Sequence, residues 1–246
     1  MNMMKTSQGF ACAGLVAMLL GFASPATSAP LTFFGEDLAA AGSLPVPNSV
    51  AAQAAFLSNL IGVGVEDFEG FAVGTNFNFD VAFGADTATL SGTNTVATTG
   101  IQNAGLAGRF ATSGSQYLNV GTGDALSFSL TFSNAQAAFG FFGTDIGDFL
   151  GQLTLSFDGG APVLVPHTVG APGGSGLFFG YIDVANPFTL VQFANTQGAA
   201  DAFGFDQFTI GRIEQVVPTV PEPSTLLLLG TGLAAAVVRR RMTKQA

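Results

Sequence analysis

Residues 126–133 read LSFSLTFS. Leu126, Phe128, Leu130 and Phe132 point one way; Ser127, Ser129, Thr131 and Ser133 point the other. A strict period of two over this length defines a strand with one face in a core and one face wet, because successive side chains of an extended chain leave on opposite sides. A helix would spread the same residues around its circumference. Further runs share this texture: 137–142 (AAFGFF), 152–157, a partner starting near Pro162 after an Asp158-Gly159-Gly160 turn, 177–184, 188–194 and 203–210. Earlier strands are expected at 77–83, 88–90 and 117–120. Short strands separated by turn residues, with no helical crossover between them, exclude a parallel α/β sheet. The expected fold is all-β, an antiparallel two-sheet sandwich, with a closed barrel as the rival.

Composition supports that reading. The chain has 25 Phe, 33 Gly and no Trp, so phenylalanine from the two inner faces has to fill the core. Charged residues make up 9% and hydrophobic residues 48%, too apolar a mixture for general disorder. One short helix is expected over residues 48–60 (NSVAAQAAFLSNL), with Val50, Ala54, Phe56, Leu57 and Leu60 on its apolar side and Asn48 or Ser49 as its cap. Residues 93–99 are Thr-rich and read as a loop or an edge.

The charge is unevenly placed. Between Pro30 and Val220 stand fifteen Asp or Glu against Arg109 and Arg212, a balance of −13. So acidic a body repels phosphates, so no nucleic-acid partner is expected, whereas divalent cations and basic partners suit it. Cys12 is the only cysteine, which leaves the rest of the chain without a disulfide or a thiolate metal site.

The two ends carry addresses. Residues 1–29 have Lys5 ahead of a short apolar run and then small residues up to Ala29, the form of a secretory signal peptide read by the Sec translocon and signal peptidase. Near the C-terminus, Leu226 to Val238 is uncharged and thirteen residues long, shorter than the about 20 residues of an ordinary spanning helix. Pro223 stops any extension backwards, and Arg239, Arg240 and Arg241 are expected to stay in the cytoplasm. The ordered set of Pro221-Glu222-Pro223, a short apolar helix and an arginine cluster resembles the PEP-CTERM sorting signal of Gram-negative bacteria. That resemblance implies recognition by an exosortase, a membrane enzyme, removal of the helix, and transfer to the cell surface or extracellular matrix. A permanent short anchor is the alternative. The body, with FEGF at 68–71, FGFDQFTIG at 203–211 and AFGFFGTDIGDFLGQLTLSFDGG at 138–160, resembles the jelly-roll domain often attached to such signals. The expected organisation is a signal peptide at 1–29, a segment with the short helix at 30–65, a jelly-roll-like sandwich at 66–213, a spacer at 214–220 and the sorting signal at 221–246.

Catalytic residue types are scarce. His167, in VPHTVG, is the single histidine and reads as a surface or hydrogen-bonding residue; no Gly-x-Ser-x-Gly elbow, P-loop or dinucleotide fingerprint occurs. No enzyme is expected. Three acidic groupings remain: Glu66, Asp67 and Glu69; Asp145 and Asp148; Asp201 and Asp206. If the first and last strands lie close together, Glu69 and Asp206 could share a structural Ca2+, since calcium gathers several hard oxygen ligands. Asp145 and Asp148 could offer a polar loop to a glycan, for instance an exopolysaccharide. The expected role is adhesion, matrix building or binding by an exported surface protein. A calcium-dependent lectin-like module and, more remotely, a polysaccharide hydrolase with a carboxylate pair are the alternatives.

Overall fold

The computed structural model describes residues 29–38, 45–92, 99–121, 126–197 and 201–218. The expected signal peptide through Ser28, the Thr-rich stretch 93–98, the PEP motif, the apolar run 226–238 and the arginine cluster lie outside the described residues.

Two antiparallel sheets form a sandwich. The first contains β1 (Leu31–Asp37), β2 (Gly64–Glu66), β5 (Gly100–Gln102), β6 (Tyr117–Gly121), β8 (Ala138–Thr144), β11 (Gly176–Ile182) and β13 (Ala202–Gly211). Its order is β1-β11-β8-β13-β6-β5, with β2 also pairing β13. The second contains β3 (Phe79–Phe83), β4 (Asp86–Gly92), β7 (Leu126–Gln136), β9 (Leu153–Phe157), β10 (Val163–Leu164) and β12 (Phe188–Asn195), in the order β10-β9-β12-β7-β4-β3. From β6 to β13 the chain alternates between the sheets, staying in one only for the β9–β10 hairpin.

The expected strands all form, with ends shifted by a few residues. The alternation in β7 does what its period requires: Phe128, Leu130 and Phe132 are buried. They meet Phe139, Phe141, Phe205 and Phe208 from the other sheet in one aromatic core. Phe193 is its hub. It stacks on Phe128 at 4.2 Å and meets Phe141 and Phe205 edge-on, each at 5.2 Å.

Three strands were not apparent in the sequence: β1, β2 and β5. β1 pairs along its whole length with β11, Leu31 opposite Ile182 through Asp37 opposite Gly176. Segment 30–65 is therefore woven into the sandwich, and the sheet starts at Leu31 rather than near residue 66.

The helix α1 (Pro47–Leu57) lies on the outer face of the first sheet, with contacts to β1, β11 and β8. Phe56 rests on Gly140 and Gly180, which are paired across β8 and β11. A Cβ at Gly180 would stand 2.6 Å from Phe56 Cδ2, and one at Gly140 2.9 Å from Phe56 Cε1, so only glycine admits the ring there. Under the helix, Phe142, Phe178 and Ile182 form a second core with Phe56. β8 and β11 are consequently buried on both faces, every residue of each. This explains their unbroken apolar sequences, where one apolar face per strand was expected.

Two details of the helix correct the sequence reading. Its buried side is Ser49, Ala52 and Phe56, whereas Val50 and Ala54 are exposed. Neither Asn48 nor Ser49 caps it. The cap comes from Asp37 at the end of β1: its Oδ1 accepts Asn48 N–H at 3.1 Å, and its Oδ2 accepts Ser49 N–H at 2.9 Å and Ser49 Oγ–H at 2.6 Å. A carboxylate beside free helix N–H groups is favourable both as acceptor and as charge.

Candidate functional site

The acidic groupings assemble differently from their sequence order. At the end of the first sheet where β8 finishes and β11 and β13 begin, Asp145 and Asp148 face Asp201, and Arg109 joins them. The sequence reading had grouped Asp201 with Asp206 and had left Arg109 out.

Arg109 arrives on a tight turn closed by two backbone bonds with Leu106, at 2.9 and 3.1 Å. Its Nη1 donates to Asp145 Oδ2 at 3.3 Å and to the carbonyl of Ala202 at 3.1 Å. Gly108, at φ +98, is what allows this turn to dock, because a Cβ there would collide with Asp145 Oδ1 and Gly174 N. Asp145 itself is buried, with φ 62. Its N–H donates to the Ser175 carbonyl and its Oδ1 accepts Gly174 N–H, each at 2.8 Å. Burial raises the Asp145 pKa, aided by the charge of Asp148, while Gly174 N–H and Arg109 pull it down. Asp201 is pushed up to about 6, first by burial and then by Asp148 and Asp145. Chemically this is a group of carboxylates, one of them locked to an arginine, in which burial raises the pKa of Asp145 and Asp201.

Glu69 and Asp206 do converge, on a loop. Glu69 accepts Ser115 N–H and Gln116 N–H, both at 2.6 Å on Oε1, and Ser115 Oγ–H at 3.1 Å on Oε2. Asp206 Oδ2 accepts Thr112 N–H, Thr112 Oγ–H and Ser113 N–H at 2.8, 3.0 and 2.9 Å, and its Oδ1 accepts Gln207 N–H at 2.7 Å. The two ends of the domain thus grip residues 112–116 from both sides. These oxygens are engaged by N–H and O–H donors. Among the described residues no group of three or more His, Cys, Asp or Glu is placed to hold a metal. Asp206 reaches the loop because of a bulge: the β13–β8 register gains one residue between Asp206 and Thr209, with Gln207 at φ 47. Burial pushes Asp206 up to about 7 against the opposing pull of its donors.

His167 is buried rather than on the surface, and it is a hydrogen-bonding residue. Its Nε2 accepts Leu153 N–H at 2.9 Å, and Nδ1 lies 3.4 Å from the Thr168 carbonyl. That arrangement requires a neutral ring with the proton on Nδ1. Burial lowers its pKa.

Among the described residues, both arginines neutralise buried carboxylates. Arg109 serves Asp145, and Arg212 binds Asp86 through Nε and Nη2, both at 2.7 Å. The scarcity of cations in an acidic body was the available signal for these pairs. A buried carboxylate needs a partner, and only two cations could provide one between Pro30 and Val220.

Beyond the sandwich, residues 219–241 match the model of the PEP-CTERM protein-sorting motif. The chain therefore carries a signal for exosortase-dependent sorting of an exported protein, handled at the membrane on the way to the cell surface. No curated protein and no solved structure matches the chain. Among the described residues no helix is long and apolar enough to cross a membrane; the apolar run 226–238 lies outside them.

Proposed function

We propose that this chain is a non-catalytic protein of the bacterial surface or extracellular matrix, its sandwich serving a structural or binding role after delivery. The observation that carries the reading is the sorting motif at 219–241. In the proposed sequence of events, residues 1–29 direct export. The run 226–238 then holds the chain at the membrane with Arg239, Arg240 and Arg241 inside. The exosortase acts at or near Pro221-Glu222-Pro223, where two prolines keep the backbone extended.

The body's chemistry supports a non-catalytic role. His167 is committed to Leu153 N–H, Asp145 to Arg109, and Glu69 and Asp206 to the 112–116 loop. These are uses that hold loops in place. Mass spectrometry of surface-fractionated protein tests the delivery. The expected C-terminus falls before Leu226; an intact Ala246 in the mature population would instead mean a permanent anchor.

A further inference from the structure

Away from the Asp145 group, a cavity of about 320 Å3 opens between the two sheets. Its apolar lining is three rings together with Ala161, Val163 and Pro187. Phe157 and Tyr181 stack at 4.2 Å and 15°, and Phe188 meets Phe157 at 4.6 Å and Tyr181 at 6.4 Å. The remaining lining includes two carboxylates, Asp158 and Asp183, and contains no Lys, Arg or His.

Asp183 is buried at 4% exposure, yet the donors that meet its carboxylate are neutral. Its Oδ1 accepts Ala185 N–H and Asn186 N–H, both at 3.0 Å; its Oδ2 accepts Asn186 Nδ2–H at 3.1 Å and Tyr181 O–H at 3.3 Å. The other buried carboxylates with an arginine in reach, Asp86 and Asp145, take it. Asp183 has donors but no countercharge. Burial, and then the Asp183 charge, push the Tyr181 hydroxyl up to about 12, so it stays a donor.

We infer that this cavity binds a small quaternary ammonium cation, such as a choline-type head group. Rings carry negative π faces that attract a cation, and two carboxylates add a negative field. Asp158 sits at the exposed rim with Oδ1 holding Thr189 and Leu190, so at the buried end of the cavity the type of cation follows from the hydrogen-bond capacity of Asp183. Four donors already occupy the Asp183 oxygens, so Asp183 offers charge rather than free acceptor sites. A primary ammonium brings three N–H donors that need acceptors, whereas a quaternary ammonium needs none. This inference does not depend on sorting or on the structural role proposed above.

The test is titration of the full-length purified protein with choline chloride and with 3,3-dimethylbutan-1-ol, which has the same shape without the charge, followed by calorimetry or NMR. Choline should bind saturably in the millimolar range, about tenfold or more tighter than the neutral alcohol, and should weaken with added salt. Phe157→Leu, which keeps apolar bulk but removes the ring, should reduce choline affinity severalfold while leaving the circular dichroism spectrum unchanged. Equal binding of the two probes, or no saturable choline binding, overturns the inference; this comparison needs no variant to fold. Phosphatidylcholine vesicles identify the source. Vesicle binding displaced by choline assigns a lipid head group, and choline binding without displaceable vesicle binding assigns a soluble cation.

Discussion

Asp37→Ala removes the carboxylate that caps α1 from the end of β1, and the structure sets the size of the effect. Three donors lose their acceptor, but they are not equivalent. Asn48 is exposed, so its N–H turns to water at little cost. The Ser49 hydroxyl has carbonyl alternatives on Gly176 at 3.3 Å and Gly35 at 3.4 Å. Ser49 N–H has none, because the residue is 0% exposed, and a buried unsatisfied donor costs about 1–3 kcal/mol. Loss of a carboxylate at a helix N-terminus adds about 0.3–1 kcal/mol. The expected destabilisation is about 2–3 kcal/mol, read as a shift of the urea midpoint at unchanged slope. Asp37→Asn, which keeps one acceptor oxygen, should lose less. Ser49→Ala combined with Asp37→Ala should fall short of additivity by about 0.5–1 kcal/mol, since the hydroxyl and the carboxylate are direct partners. A loss below about 0.5 kcal/mol for Asp37→Ala, the range of inert surface changes, would refute the cap.

Gly180→Val should disrupt the seat of Phe56 and cost about 1–3 kcal/mol or more by overpacking; a thermal midpoint equal to the parent's would show that the helix can lift away freely. His167 has a lowered folded-state pKa, so the unfolded chain takes its proton first. Its contribution is complete above the ordinary value of 6.5 and is lost as pH falls below it, and the difference in stability between the parent and His167→Phe should shrink on acidification through that window. Asp206 has the opposite sign. With its folded pKa raised from 3.8 to about 7, the native state holds the extra proton, so stability from this group declines as pH rises between those values. Asp206→Asn should remove that slope, and parallel pH profiles for the parent and the variant would disprove the assignment.

Much of the second sheet was legible because its strands have one wet face. In β7, serine and threonine alternate with phenylalanine and leucine, and the period survives in the sequence. β8 and β11 were found as apolar runs, but their second buried face was hidden, since a strand covered on both sides shows no alternation. β1 was missed because LTFFGED has little period of its own; pairing with β11 makes it a strand. The helix was located correctly, but its buried side was misjudged. Ser49 looked like a cap and is in fact a core residue satisfied by Asp37. At the Asp145 group, proximity in sequence paired Asp145 with Asp148 correctly and placed Asp201 wrongly. Arg109 comes from a loop 36 positions from Asp145, and no local pattern records a contact over such a distance.

By itself, then, the sequence determined what depends on short-range order: the strand period, the aromatic filling of the core, and the linear sorting signal at 219–241. The tertiary structure decided what depends on meetings between distant segments. It sent Glu69 and Asp206 to a common loop, gave Arg109 and Arg212 their carboxylates, and left Asp183 buried beside three rings without a countercharge. The physical reason is that side-chain period is a local property of the backbone, whereas charge compensation and cavity lining are set by which strands lie side by side.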